Sequence, residues 1–263
     1  MDESLNEELL IEGTVLVEYR GTRGNLAIPE GITEVGRHAF YQKPLYTVKL
    51  PKGLTTIGEL AFAGTRLSAL EFPEELTSIG RGAFAHTQLR GVQFPPTLNH
   101  IGNGAFTGTQ LRRVHLTAGI KTLGYMSLDI ETLKIITVDP ENQDFIVVNG
   151  VLFDKAQTRI HTYPRGKTGS HYTVPSGVTI IGDYAFYGAL LSTLDFPEGL
   201  TTIGAGAFAW SHLSEVQLPP GLVTVGDKAF AWTMQLTAVE LSSRTEVAPS
   251  AFENSPQVHL NLR

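Results

Sequence analysis

The chain has 263 residues, 42% hydrophobic and 17% charged, with 27 glycines, 14 prolines and a net charge of −6. This apolar content supports a substantial core and excludes a disordered chain, and the acidic balance argues against nucleic-acid recognition, which needs a Lys/Arg-dense face. Cysteine is absent, which excludes disulfide frameworks, thiolate metal sites and a cysteine nucleophile, and no apolar run approaches the roughly 18–20 residues of a membrane span.

The N-terminus, Met1-Asp2-Glu3-Ser4-Leu5-Asn6-Glu7-Glu8, has no basic segment followed by an apolar one, so no signal peptide is visible. Either the chain is cytoplasmic or its targeting segment lies outside it. Leu10–Tyr19 is rich in β-formers and leads into Ile28-Pro29; residues 1–30 read as an N-terminal cap. Residues 31–138 form a first block of repeats. Ala-Phe recurs at Ala39-Phe40, Ala61-Phe62, Ala83-Phe84 and Ala105-Phe106 with a period of 22 residues, and a degenerate copy, Ser127-Leu128, keeps the register. A representative unit reads Leu67-x-x-Leu70-x-Phe72-Pro73-x-x-Leu76-x-x-Ile79-Gly80-x-x-Ala83-Phe84. Its first part alternates as a half-buried strand does. Pro73 ends the strand because it lacks a ladder N–H. Leu76 and Ile79 return inward, Gly80 marks a turn, and Ala83-Phe84 supplies a small residue and a large anchor on a short 3₁₀ or helical turn. One coil cannot bury the resulting ring of about six apolar side chains, whereas stacked neighbours can, so the pattern predicts a solenoid.

Residues 139–174 interrupt the period. Phe145–Val148 and Val151–Phe153 flank Asn149-Gly150, a strong hairpin signal, and Ile160–Tyr163 adds a strand before Pro164. This segment reads as a β-hairpin module joining two arrays, the alternative being a flexible linker between domains. Residues 175–263 form a second block, with Ala185-Phe186, Ala207-Phe208, Ala229-Phe230 and Ala251-Phe252 again 22 apart. The alternation Val258-His259-Leu260-Asn261-Leu262 ends the chain as one more strand, without a polar cap. An open edge of this kind invites pairing, so either the protein continues past Arg263 or this edge self-associates.

These units resemble the leucine-rich repeat of BspA-type bacterial surface proteins, with copies at Val48-x-Leu50-Pro51 to Phe62, Val92-x-Phe94-Pro95 to Phe106 and Val216-x-Leu218-Pro219 to Phe230. The resemblance implies an α/β-type repeat solenoid: a right-handed coil with a parallel sheet on one face, mostly β and turn. It also implies a secreted or cell-surface adhesin binding a protein of host or bacterial surface. The family usually places cysteine shortly after the phenylalanine, where this chain has Thr65, Thr87, Thr109, Ala189 and Ser211.

The sequence carries few signatures of chemistry. The eight histidines are scattered without metal-ligand spacing, Gly166-Lys167-Thr168 lacks the upstream glycine and the strand–loop–helix setting of a phosphate loop, and no Gly-x-Ser-x-Gly elbow occurs. No catalytic residue, metal or cofactor is implied, and a non-enzymatic recognition module is the expectation. Its alternative is an intracellular structural or sensor subunit assembling through the solenoid surface. The candidate partner-binding residues are those flanking the central apolar residue of each strand: Lys49, Glu71, Gln93, Arg113 and His115 in the first block, and Asp195, Glu215, Gln217 and Glu240 in the second. Trp210 and Trp232, each two residues after the repeat phenylalanine, are expected to stack on the outer, non-sheet side of adjacent coils. They serve either as packing over the turn or as an aromatic patch for a glycan or protein.

Overall fold

The computed structural model describes residues 8–255 and 259–262 and falls into two compact units, Met1–Asp144 and Phe145–Arg263. The first unit opens with an antiparallel hairpin, Leu9–Glu12 against Val15–Tyr19. Each following coil runs past two strand faces. One carries the expected alternating strands, seen at Asn25–Ala27, Thr47–Lys49, Arg113–Leu116 and Ile135–Val138. The other, absent from the sequence reading, is a narrow ladder of two-residue strands at Glu34–Val35, Thr56–Ile57, Ser78–Ile79, His100–Ile101 and Thr122–Leu123. These pair in parallel and continue the hairpin into one seven-stranded sheet.

Each glycine after the inward residue of a narrow strand opens the expected turn, but the turn is not what requires glycine there. Gly80 is not a positive-φ residue; a Cβ there would lie 2.7 Å from the backbone carbon of Gly58 one coil earlier. Gly58, Gly102 and Gly226 stand equally close to the preceding coil, so the column is glycine because backbones touch there. The Ala-Phe stretch is likewise a run of overlapping turns rather than a helical turn: Ala83 N–H bonds Gly80 C=O, Ala85 N–H bonds Gly82 C=O and Thr87 N–H bonds Phe84 C=O. Two residues per coil take the left-handed conformation, in columns that include His38, Leu60, Gly82 and Met126, and Gln42, Gly64 and His86.

This turn face has its own inter-coil bonds. Phe40, Phe62 and Phe84 N–H groups donate to the carbonyls of Ala61, Ala83 and Ala105 at 2.8, 2.8 and 2.9 Å. The phenylalanine rings stack beneath with centroids 5.0–5.4 Å apart from Phe40 to Phe106, and all are fully buried. The hydroxyls that occupy the cysteine slots are mostly self-satisfied, with Thr65, Thr87 and Thr109 donating to Phe62, Phe84 and Phe106 carbonyls at 2.8–2.9 Å. Burial of these small polar groups therefore costs little.

The second unit repeats the plan. Phe145–Val148 pairs antiparallel with Val151–Asp154, and positive φ at both Asn149 (51°) and Gly150 (78°) makes the connection a type I′ turn. Val151–Asp154 pairs with Arg159–Thr162, which is joined in parallel by Ile180–Ile181 and the narrow strands that follow it. The wider face is a five-stranded parallel sheet: His171–Thr173, Thr193–Asp195, Glu215–Gln217, Ala238–Leu241 and His259–Leu262. His171–Thr173 thus belongs to the repeat sheet although it falls inside the segment 139–174. The terminal strand lies at the end of this order, with Val258 outside the described residues. Phe186, Phe208, Phe230 and Phe252 stack at 5.1–5.3 Å.

Candidate functional site

The wide face positions its side chains by strand alternation. Val48, Val114 and Val216 are buried, and their neighbours Thr47 and Lys49, Arg113 and His115, and Glu215 and Gln217 are exposed. Glu71, Gln93 and Asp195 are also exposed, whereas Glu240 is only half-exposed. In the first unit the regular sheet breaks. Residues 69–71 and 91–93 form no strand, although Leu70 is buried between exposed Ala69 and Glu71 as the alternation requires. A groove of about 1030 Å³ opens over these two coils, touching Glu71, Gln93, Arg113 and His115 together. Lys49 borders a smaller one, about 430 Å³, with Glu71. In the second unit Asp195, Glu215 and Gln217 share a shallow groove of about 340 Å³ over a continuous ladder.

The tryptophans stack, ring centroids 5.5 Å apart and planes 13° from parallel. They sit on the turn face, both left-handed at φ 59° and 56°, with the Lys228 ammonium 5.4 Å from the Trp232 ring centre. Trp210 keeps 52% of its surface exposed. The structure thus separates the pair from the strand-face residues within the second unit.

Sequence reasoning missed a recurring histidine arrangement. His115 Nδ1 lies 2.9 Å from Thr137 Oγ1 and its Nε2 3.1 Å from Asp139 Oδ1. His171 repeats this with Thr193 at 2.9 Å and Asp195 Oδ2 at 3.1 Å. The signal was present as a threonine 22 and a carboxylate 24 residues after each histidine. Hydroxyl, imidazole and carboxylate thus meet on an exposed strand surface, and the bonds tie adjacent coils. Among the described residues no group of three or more His, Cys, Asp or Glu is placed to hold a metal, and no helix is long and apolar enough to cross a membrane.

A second feature is basic and extends beyond Arg113, the one arginine among the candidate residues. Arg90, Arg112 and Arg113 rim the first-unit groove, all three exposed and none in an ion pair or side-chain hydrogen bond with a described residue.

The model of the BspA type leucine rich repeat region matches six copies over residues 20–134 and 166–261. No curated protein matches the chain significantly. Among solved structures, a leucine-rich repeat protein from Eubacterium ventriosum superposes with a TM-score of 0.82 at 22% identity, covering 95% of this chain and 78% of that one. The pneumococcal vaccine antigen PcpA gives 0.74 at 24% identity, covering 91% and 68%. A leucine rich cell surface protein from Faecalibacterium prausnitzii gives 0.64 at 20% identity, covering 94% and 90%. At these identities the likeness is one of fold.

Proposed function

Because the chain belongs to the BspA-type leucine-rich repeat family, we propose that it is a non-enzymatic recognition module binding a protein partner through the wide strand face. One observation carries this reading. The inward positions are nearly constant from coil to coil, as in Phe40, Phe62, Phe84 and Phe106, while the outward ones change from Lys49 to Glu71, Gln93 and His115. A face that only kept the coils soluble could repeat its polar residues as freely as the core repeats its apolar ones. A changing row on a rigid scaffold presents a specific pattern of charge and hydrogen-bonding groups. Location at a cell surface is part of the proposal, supported by the cell surface description of the Faecalibacterium prausnitzii protein and by the family resemblance.

The test is capture of surface proteins by the immobilised chain, compared with a variant carrying Glu71→Ala, Gln93→Ala, Asp195→Ala and Gln217→Ala. These side chains are exposed, so thermal melting should be nearly unchanged while capture is lost. Undiminished capture by the folded variant would overturn the strand-face reading.

A further inference from the structure

The first-unit groove is built unlike the rest of its face. The wide strands pair as Asn25–Ala27 with Thr47–Lys49 and, separately, as Arg113–Leu116 with Ile135–Val138. Between them, residues 69–71 and 91–93 make no backbone hydrogen bond to any described residue. Their N–H and C=O groups are left to solvent or to a ligand, and unmade backbone bonds are a ready partner for another extended chain. Half-buried Phe72, half-buried Val92 and buried Phe94 supply an apolar floor. The lining also holds Arg90, Arg112 and Arg113, three guanidiniums without a side-chain partner among the described residues in a chain of net charge −6, together with Glu71 and Glu74. Lys134, exposed, continues the column of Arg90 and Arg112 one coil further.

We propose that this groove binds an extended acidic segment of a protein partner, its carboxylates on Arg90, Arg112 and Arg113 and its apolar side chains on Phe72 and Phe94. The proposal rests on the strand-face reading and gives it a place and a ligand chemistry. Guanidinium forks recognise carboxylates bidentately, and the apolar floor and open backbone groups suit a peptide. An anionic polysaccharide could also pair with the guanidiniums but has no apolar side chains for the floor of Phe72 and Phe94, which favours the peptide.

Fluorescence polarisation with a labelled peptide of alternating glutamate and valine is the probe, beside its glutamine-valine and lysine-valine counterparts and a heparin oligosaccharide. The intact chain should bind the glutamate peptide saturably, and at least about tenfold more tightly than either counterpart, weakening as salt screens the pairs. The Arg90→Gln, Arg112→Gln, Arg113→Gln variant should lose about tenfold or more, while Arg244→Gln, an exposed arginine of the second unit away from the strand-face candidates, changes nothing. Equal binding of the glutamate and glutamine peptides, or no effect of the arginine substitutions, would overturn the proposal. So would arginine-dependent heparin binding without peptide binding, which would assign the groove to a sulfated glycan. In parallel, the arginine variant is assayed for capture of surface proteins. If the intact chain binds no acidic peptide, or the arginine variant captures as well as the intact chain, while capture still depends on Glu71, Gln93, Asp195 and Gln217, only this inference fails; capture independent of both sets removes the strand-face reading itself.

Discussion

The Tyr163 ring lies 5.1 Å from that of Phe186, and Tyr163 N–H donates to Ala185 C=O at 2.7 Å, the bond that a repeat phenylalanine makes to the next coil. Tyr19 does the same in the first unit, donating to Ala39 C=O at 2.9 Å with its ring 5.4 Å from Phe40. Each phenylalanine stack therefore begins with a tyrosine supplied by a preceding β segment, and the open end of each core is covered by a ring of the same shape. Tyr163→Ala should cost roughly 3–4 kcal/mol in urea unfolding, the usual loss of a buried aromatic, and Tyr163→Phe should fall within about 0.5 kcal/mol of the parent. Equal losses from both would mean that the hydroxyl, not the ring, matters.

The glycine column gives a sharper contrast. Gly80→Ala places a methyl 2.7 Å from Gly58 backbone carbon, which no side-chain movement relieves, so a loss of about 1–3 kcal/mol or more is expected. Gly53→Ala meets nothing within 4 Å and should be nearly silent. Chemical denaturation of the two variants decides it.

How much of this was legible in the sequence differs by position. Phe84 and its 22-residue relatives were legible because a repeated large residue can only be stacked. Gly80 was legible as the start of a turn, which its carbonyl's bond from Ala83 N–H makes it, but its close approach to the Gly58 backbone one coil earlier was not, since a glycine of close approach and a glycine of a turn have the same sequence signature. The left-handed residues were hidden, because half of those positions carry side chains such as Leu60, His86 and Trp210. The groove was hidden too: Leu67–Phe72 and Leu89–Phe94 keep the strand alternation, yet do not pair. The interruption coincides with Phe72 and Phe94 following one another in a column, rings 6.0 Å apart, against roughly 4.8 Å between paired strands. In the second unit Phe196 has Val174 and Leu218 as its column neighbours, and the ladder is unbroken.

His86 reports on the cost of the left-handed conformation. Its φ is 58°, where an L-residue loses roughly 1–2 kcal/mol relative to its usual conformations. His86→Gly should raise stability by about 1 kcal/mol, His86→Ala should stay within about 0.5 kcal/mol, and Phe84→Ala nearby should lose about 3–5 kcal/mol. Urea melts of the three variants test the order; a destabilised His86→Gly would contradict it.

Tyr172 provides the pH dependence. Its hydroxyl is buried with no hydrogen-bond partner, and burial, with Tyr163 adding to it, pushes its pKa up to about 12. The unfolded chain gives up this proton near pH 10, before the folded one does. Its contribution is therefore intact below about pH 10 and declines as pH rises toward 12, by on the order of 1 kcal/mol per pH unit. Tyr172→Phe should flatten that decline and, by removing an unsatisfied hydroxyl, be neutral or up to about 1 kcal/mol more stable at pH 7. Equilibrium unfolding of both chains between pH 8 and 12 measures this, and an identical alkaline loss would exclude Tyr172 as a source.

The role of the strand face is tested most directly by amide hydrogen exchange of the chain, free and bound to a captured partner. Leu70 and Val92 amides, which donate to no described residue, should exchange quickly in the free chain, while those of Val114 and Val216 lie in paired strands and should exchange slowly. On binding, protection should appear at residues 69–71 and 91–93. Protection confined to the turn face around Trp210 and Trp232, with Leu70 and Val92 still exchanging quickly, would contradict the account.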